Sequence, residues 1–538
     1  MPVSHNDCAP VKSKFHFSLI SLLSLLTLLL SCTQQEPAPP RAFAEEVFYH
    51  VLPRSFYDSD GDREGDFHGL IEKLDYLQEL GVTAVLMLPI YDSDYYHNYF
   101  ANDFEAVDPE YGGKEGYFEL LEALHQRGMK LFMDMEIHYV TERHPWYTDS
   151  YGNPHSPYSK YIIYNGPGNT EPESIIFGLT ALQSYDGDVI KICTIDLGNP
   201  QVRDYLYGLF RYWVDPNGDG DFRDGIDGYR IDHIMDDLDW KGKQTNLLSD
   251  FWKPLFQQLR QQNPAVKIIG EQAEWGYGKE YFAKGDLDAV FAFPLYMAVG
   301  RFNKQDLMNK IDSTFLSTPA GKHQLVFIEN HDTDRFASVV AENPGKLRVG
   351  AALNILLKGI PSIYYGQELG MKGVKQEWGP TDANDILRRE AFEWYQTVDG
   401  PGMALWYRDS GPWWDLTNLR DDDGISLEEQ QATPGSLWQF YRQLLTLRRE
   451  HAALASGEFA FIPNEDEKVL SFLRWNDTQY IAVIVNLDEN PREVTLDLAG
   501  LPQLAGKALQ RDLLSGETFS GSAGFSLDGY GVRVVKAE

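Results

Sequence analysis

Gly225-Ile226-Asp227-Gly228-Tyr229-Arg230-Ile231-Asp232-His233-Ile234 is a short β-branched run in which charged and apolar side chains alternate. In a β-strand, Arg230 and Asp232 project to one face, while Tyr229 and Ile231 project to the other. A carboxylate beside an arginine stays ionised, because a nearby cation favours the charged form. The pattern therefore predicts that Asp232 is a nucleophile, and the alternative is a structural ion pair at the rim of a sheet.

Buried-type strands of this kind recur along the chain and alternate with helical patterns. One such pattern, residues 70–80, has leucines at helical spacing and stops at Gly81, a residue that commonly ends helices. Eight strands separated by helices predict an α/β fold, a (β/α)8 TIM barrel rather than a doubly wound sheet. The predicted strands cover residues 46–52, 82–89, 129–137, 226–232, 266–271, 289–293, 325–330 and 360–365.

Two further domains are predicted around this barrel. The interval of about 141–195 is rich in Tyr, Pro, Gly and Asn and is too long for an ordinary loop, so it is interpreted as a small domain inserted after the third strand. An amphipathic helix over 436–454 closes the barrel, which spans 44–455. Residues 456–538 contain alternating segments separated by turn residues, which predict a C-terminal antiparallel β-sandwich.

The N-terminus predicts export. Lys12 and Lys14 precede an apolar run of about 15–30 that ends at Ser31-Cys32 and is followed by a polar, proline-bearing linker over 33–43. This pattern resembles a bacterial lipoprotein signal over 1–32, in which Cys32 becomes the lipidated first residue. The expected location is extracytoplasmic and membrane-anchored through that lipid alone. The alternatives are a plain signal peptide with secretion, or an anchor helix, for which the run is short.

The overall charge excludes one class of partner. The 538 residues carry a formal net charge of -33, which opposes sustained contact with phosphate backbones, so nucleic acid is not an expected partner. A neutral substrate needs no electrostatic steering and fits this acidity. Three cysteines provide no disulfide framework.

Ionisable side chains follow several predicted strands at their carboxyl ends, where barrel enzymes carry their catalytic groups. These are Asp134, Arg230 with Asp232, Glu271, and residues 330–332 (Asn-His-Asp). Carboxylates at one mouth raise one another's pKa, so that one can donate a proton while its neighbour stays ionised. Glycoside hydrolysis requires this division between a general acid and a nucleophile or base.

With these residues the sequence resembles the α-amylase superfamily of glycoside hydrolases from about residue 44 to the C-terminus. Several motifs in the expected order are far more specific than one alone. The matching segments are 95–103, 108–112 (DPEYG), 228–232 (GYRID), 270–271 (GE), 327–332 (FIENHD) and 359–366 (GIPSIYYG).

The resemblance implies a retaining mechanism with a covalent glycosyl-enzyme. Asp232 corresponds to the nucleophile and Glu271 to the general acid/base. Asp332 corresponds to the residue that holds sugar hydroxyls and stabilises the oxocarbenium-like state.

Four further residues are implied to bind or orient the substrate. Arg230 orients the nucleophile, and His331 donates to a sugar hydroxyl. The ring of Tyr99 stacks on the sugar, because its face meets apolar C–H groups. Asp134 is assigned to the same substrate-binding group.

Two positions depart from the family pattern. The family usually carries Asn-His where this chain has His138-Tyr139, so the calcium site that uses this asparagine in many α-amylases is not expected here. Exo-acting relatives usually have an aspartate at the position of Phe100, whereas several endo-acting amylases have an aromatic residue. Phe100 therefore favours endo action.

The loop after the first strand predicts a calcium site. Residues 58–66 (DSDGDREGD) place oxygen ligands at alternate positions, with glycines that allow a tight wrap. The loop also resembles the calcium loop of the oligo-glucosidase branch of the family, and the alternative is an acidic turn. The predicted ligands are the side chains of Asp58, Asp60, Asp62 and Asp66 and the carbonyl of Glu64.

The sequence thus predicts a hydrolase of α-glucosidic bonds, α-1,4 in the first place, in starch, maltodextrins or related α-glucans. Within the same scaffold, the alternatives are an exo-acting α-glucosidase, a cyclomaltodextrinase or a transglycosylase. A more distant alternative is a non-catalytic glycan-binding surface lipoprotein. The sequence makes no prediction of oligomeric state.

Overall fold

The computed structural model describes residues 41–521 and 523–538. The predicted signal peptide with Cys32 and most of the 33–43 linker lie outside these residues. Within the described part of the chain, no helix combines the length and the apolar character that a membrane span requires.

Eight parallel strands close into a barrel, which confirms the predicted fold class. Each strand pairs with its predecessor among the barrel strands, and the eighth pairs with the first, Phe48 lying opposite Ser362. All eight predicted segments overlap a barrel strand, although the ends differ by a few residues. The strands are Phe48–Val51, Ala84–Met87, Lys130–Met135, Gly228–Ile234, Lys267–Gln272, Ala289–Phe291, His323–Val326 and Ile360–Tyr364.

The barrel interior is a packed apolar core. Phe132, Ile269, Phe291 and Leu325 are fully buried in it, and the ring centroids of Phe291 and Phe327 lie 5.4 Å apart at an interplanar angle of 84°. Because aromatic and aliphatic side chains fill the interior, polar side chains of the strands collect at the mouth.

Helices surround the barrel. The predicted helix over 70–80 is divided at Lys73, and the second piece ends at Gly81, whose φ of 105° is left-handed as expected for a glycine cap. The helices are Phe67–Glu72, Leu74–Leu80, Gly113–Gln126, Pro145–Ser150, Pro200–Val214, Lys253–Gln262, Phe293–Val299, Lys304–Leu316, Phe336–Val339, Pro344–Leu356, Pro412–Asp415, Leu427–Ala432, Leu437–Glu450 and Ala452–Ala455.

A small antiparallel sheet follows the third barrel strand. Its strand order is Tyr139–Thr141, Val189–Thr194, Ala181–Gln183. Ile190 and Ile192 pack with Tyr95, so the insertion and the loop after the second barrel strand share one apolar cluster. This cluster fixes one wall of the barrel mouth.

The C-terminal region contains two antiparallel sheets that share a core. Val469 and Ile484 of the larger sheet pack with Val494 and Phe525 of the smaller one, as in a β-sandwich. The larger sheet has the order Glu458–Phe461, Val469–Trp475, Tyr480–Asn486, Val532–Ala537, Leu509–Asp512, and the smaller pairs Arg492–Thr495 with Gly524–Leu527.

Candidate active site

Three neighbouring barrel strands bring the predicted catalytic groups to one level. Asp134 of the third strand pairs in register with Arg230 of the fourth. Glu271 lies where the register between the fourth and fifth strands shifts, between Gly270 and Gln272. Such irregularities re-aim side chains near active sites. The topology thus gathers side chains that are more than a hundred residues apart in sequence.

Arg230 joins all three carboxylates. Its side chain is fully buried, and Nη1 donates to Asp134 Oδ1 at 2.8 Å and to Asp134 Oδ2 at 2.7 Å. The same Nη1 donates to Asp232, and Nη2 lies 2.9 Å from Glu271 Oε2. One positive charge therefore faces three carboxyl groups.

Proton affinities in this cluster are high. Burial raises the pKa of Glu271 to about 8, and Arg230 opposes the rise while Asp232 adds to it. Burial likewise raises the pKa of Asp232, and here too Arg230 opposes the rise. The sequence predicts an ionised Asp232 because it pairs Arg230 with one carboxylate. In the structure, the guanidinium contacts three carboxylates. The cluster therefore retains protons at neutral pH.

Asp332 lies in a different electrostatic setting. His331 Nε2 lies 2.9 Å from Asp332 Oδ2, and Arg389 Nη2 donates to Asp332 Oδ1 at 3.2 Å. Although burial acts to raise the pKa of Asp332, His331 and Arg389 hold it well below its usual range. Asp332 is thus the ionised carboxylate of the site.

Tyr99 connects the two halves of the site. Its hydroxyl donates to Asp134 Oδ2 at 2.8 Å and lies 2.7 Å from His331 Nε2, and the rings of Tyr99 and His331 stack at 5.4 Å. All seven predicted catalytic and substrate-binding residues therefore belong to one connected group.

The sequence reasoning missed several residues of this group. Arg389 comes from the irregular segment after the eighth strand and carries no local signal. His50 of the first strand is buried with its ring centroid 5.1 Å from that of His331. Glu136 could have been found, because it follows Asp134 by two residues and period-two spacing puts both on one face.

The two positions that depart from the family pattern have new partners. His138 Nδ1 lies 2.8 Å from Glu136 Oε1, and the Tyr139 hydroxyl donates to Asp239 Oδ1 at 2.5 Å. Phe100 packs against Tyr95 with ring centroids 5.2 Å apart. These contacts line the side of the mouth that faces the inserted sheet.

Three of the four side chains predicted to bind calcium converge, and the carbonyl ligand predicted at Glu64 stays a prediction. One carboxylate oxygen each from Asp58, Asp60 and Asp66 lies within 4.8 Å of the others, a separation that fits a metal ion. Asp58 and Asp66 are 6% and 7% exposed, so two carboxylates are buried side by side. The side chain of Asp62 is outside this cluster, and that of Glu64 pairs with Arg54.

Comparison with known families agrees with this geometry. A family model described as "Alpha amylase, catalytic domain" matches residues 50–457. The chain belongs to the α-amylase family. A second model, "Maltogenic Amylase, C-terminal domain", matches residues 459–534, so the β-sandwich also has relatives among amylases. The enzyme is therefore a glycoside hydrolase of this family, whose members include hydrolases and transglycosylases.

Individual relatives of this amylase-family enzyme differ in the activities they are named for. Alpha-amylase 3 of Dictyoglomus thermophilum is 29% identical over 456 residues, covering 83% of this chain and 85% of that protein. Trehalose synthase/amylase TreS of Mycobacterium tuberculosis is 27% identical over 533 residues, covering 86% and 84%. The α-amylase structure from H. orenii is 26% identical, covers 92% of this chain and 100% of that chain, and superposes with a TM-score of 0.74.

Proposed function

We propose that this chain is a retaining hydrolase that cleaves α-1,4-glucosidic bonds within starch, maltodextrins or related α-glucans. The observation that carries the proposal is the contact of one guanidinium, that of Arg230, with both Asp232 and Glu271. Two carboxyls that share a guanidinium are close together, as a covalent double displacement requires, whereas inverting enzymes hold them farther apart to admit a water.

Two of the three carboxyls have a proton state that suits their role. Glu271, with its raised pKa, holds a proton for the departing glycosidic oxygen. Asp232 forms the bond to the anomeric carbon, with its orientation fixed by Arg230. Ionised Asp332 faces the developing positive charge of the sugar ring and stabilises it electrostatically. Water then hydrolyses the glycosyl-enzyme with Glu271 acting as base.

Phe100 supports endo action. Its ring lies among Tyr95, His97 and Tyr139 at the wall of the mouth, with centroid distances of 5.2, 5.5 and 6.3 Å. An aromatic ring at this position lacks the charge that would hold the end of a glucan chain. The relatives named as α-amylases favour the same reading.

The second candidate is an exo-acting α-glucosidase, a cyclomaltodextrinase or a transglycosylase on the same scaffold. Relatives named trehalose synthase/amylase and oligo-1,6-glucosidase favour it. A non-catalytic glycan-binding protein is disfavoured, because it has no need of Asp232, Glu271 and Asp332 in one connected group.

Product analysis tests the proposal. The chain from Arg41 onward is incubated with starch and with maltooligosaccharides, and product lengths are followed over time. A spread of short oligosaccharides from the outset supports endo hydrolysis, whereas glucose released one unit at a time, or new linkages, supports the second candidate. The Asp232→Asn variant must lose activity, and unchanged hydrolysis by it would refute catalysis at this site.

Calcium and the membrane anchor complete the proposal. Ca²⁺ is the metal that suits a cluster of carboxylate oxygens such as Asp58, Asp60 and Asp66.

Lipidation at Cys32 would hold the enzyme on an extracytoplasmic membrane face. Mass analysis of the mature N-terminus in the wild type and in Cys32→Ser tests the anchor, since an unmodified mature chain in both contradicts it.

A further inference from the structure

Two aromatic side chains are exposed at one edge of the barrel mouth. Trp240 is 60% exposed and Phe177 is 87% exposed, although both are large apolar residues. We propose that they form a platform that binds the glucan segment on the leaving side of the cleaved bond. The platform rests on the hydrolysis proposed above, and it assigns a binding surface to a side of the site that the sequence motifs leave open.

Trp240 lies at the end of a tight turn after the fourth barrel strand. Its backbone N–H donates to the carbonyl of Asp237 at 3.1 Å, and its φ of 55° lies in the left-handed region that bulky residues rarely adopt. The preceding residue, Asp239, accepts from the Tyr139 hydroxyl at 2.5 Å and from Lys241 Nζ at 3.0 Å. These contacts hold the turn in a strained conformation, a feature that clusters at ligand-binding sites.

Phe177 lies at the tip of a turn in the inserted region. The N–H of Ile175 donates to the Leu179 carbonyl at 2.8 Å, and the N–H of Gly178 donates to the Ile175 carbonyl at 3.1 Å. The φ of Phe177 is 61°, which is again left-handed. Ile175 is buried and packs with Tyr139 in the apolar cluster of the mouth wall. The base of the turn is therefore fixed, while the Phe177 side chain is exposed to solvent.

Lys241 joins the two turns. It follows Trp240 directly, and its Nζ donates to the carbonyl of Ile175, two residues before Phe177, at 3.2 Å. Nζ also lies 3.2 Å from Glu173 Oε1, so the lysine charge is paired. Exposed apolar surface of this kind marks ligand-binding sites, and flat aromatic faces suit the apolar C–H groups of a sugar ring. The two rings therefore fit an uncharged glucan chain.

A chain of contacts places the platform beside the general acid. The backbone N–H of His233, the residue after the nucleophile, donates to Glu271 Oε2 at 3.2 Å. The His233 ring Nε2 lies 3.4 Å from Asp239 Oδ1, and Asp239 immediately precedes Trp240. Because Glu271 protonates the departing oxygen, the sugar released with that oxygen lies on the Glu271 side of the cleaved bond. The segment that contacts the platform is therefore the leaving segment of the glucan.

Cleavage of end-labelled oligosaccharides tests the platform. Maltoheptaose labelled at its reducing end yields the leaving segment as the labelled product, so the lengths of labelled products report binding on the leaving side. In α-maltotriosyl fluoride, fluoride takes the place of the leaving glucan, so this substrate does not need the platform. The wild type is compared with Trp240→Ala, Trp240→Tyr and Phe177→Ala. Leu316→Ala is the matched control, because Leu316 is an 88% exposed apolar residue at the end of the helix Lys304–Leu316.

Loss of the Trp240 indole should weaken only the leaving side. We expect kcat/KM on maltoheptaose to fall about tenfold in Trp240→Ala, and labelled products to become shorter, because long leaving segments lose their stacking contact. Trp240→Tyr keeps an aromatic face and should retain most of the activity, whereas Phe177→Ala should shift the labelled products in the same direction as Trp240→Ala. Hydrolysis of the fluoride should stay within about twofold of the wild type in every variant.

Three results would overturn the platform. One is an unchanged set of labelled products in a folded Trp240→Ala or, should that variant not fold, in Phe177→Ala. Another is an equal fall on maltoheptaose and on the fluoride. The third is a wild-type dimer that Trp240→Ala dissociates with product lengths unchanged, which would assign the rings to an interface between copies of the chain. Failure of the wild type to hydrolyse either substrate would instead contradict the proposed hydrolysis itself, since the fluoride does not depend on the platform.

Discussion

Nη2 of Arg230 lies 2.9 Å from Oε2 of Glu271, so the guanidinium that contacts the predicted nucleophile also holds the predicted acid. The spacing of the two reacting groups is thus set by one rigid, planar side chain. Removal of that side chain should disturb both chemical steps together.

Arg230→Lys is expected to lose catalysis while keeping the charge. A lysine ammonium is a point charge without the planar fork, so it cannot contact Asp134, Asp232 and Glu271 from the same position. We expect kcat/KM to fall at least about 100-fold, equivalent to about 3 kcal/mol of transition-state stabilisation. Steady-state kinetics on maltooligosaccharides measure the loss. A variant within a few fold of the wild type would show that the shared contact has no catalytic role.

The pH dependence of kcat/KM should report Glu271 on its alkaline side. The general acid works only while protonated, and burial raises its pKa to about 8, so kcat/KM is expected to fall as pH rises through about 8. Asp332, with its depressed pKa, stays ionised throughout this range.

A fluoride substrate provides the control for this assignment. Fluoride leaves without protonation, so with an α-glucosyl fluoride the alkaline fall should weaken, and Glu271→Gln should lose far less activity than on maltooligosaccharides. An alkaline fall of the same size and position on both substrates would contradict the assignment to Glu271.

How much of the site the sequence predicts depends on how each residue reaches it. Apolar runs in the sequence predict three of the strands, and these runs end at Asp134, Asp232 and Glu271. The barrel topology brings the ends of these strands together. Arg389 has no such signal, because a long irregular segment carries it to Asp332 through tertiary packing alone.

Proton states are the other part that sequence leaves open. Arg230 and Asp232 are two residues apart in the sequence, so their pairing can be predicted from it. Taken alone, this pair predicts an ionised aspartate. In the folded chain, burial raises the pKa of Asp232, and Glu136 and Asp134 from another segment add to the rise while Arg230 opposes it, because burial and shared charge depend on the assembled barrel. The fold class, set by repeated local patterns, is by contrast predictable.

Calcium should stabilise the enzyme through the loop that follows the first strand. If Ca²⁺ binds at Asp58, Asp60 and Asp66, saturating Ca²⁺ stabilises the folded state by about 2.7 kcal/mol at 100 times Kd. Thermal unfolding with Ca²⁺ and with a chelator measures the shift. Asp58→Asn should abolish the shift, whereas Asp62→Asn, outside the cluster, should retain it. Equal shifts in both variants would exclude this site.

Arg474 joins the C-terminal domain to the barrel by neutral acceptors only. Nη1 donates to the carbonyls of Leu356 and Leu357 at 2.8 and 2.9 Å, and Nη2 donates to that of Gly457 at 3.1 Å. Arg474→Met keeps much of the side-chain volume but leaves these buried carbonyls without a donor, which should cost about 3 kcal/mol. Thermal unfolding at a fixed scan rate and limited proteolysis of the C-terminal domain measure the loss.

The control is Arg492→Met, which removes a partly exposed ion pair with Asp488. This variant should change stability by less than about 1 kcal/mol. If both variants unfold at the same temperature, the buried contacts of Arg474 do not hold the two domains together.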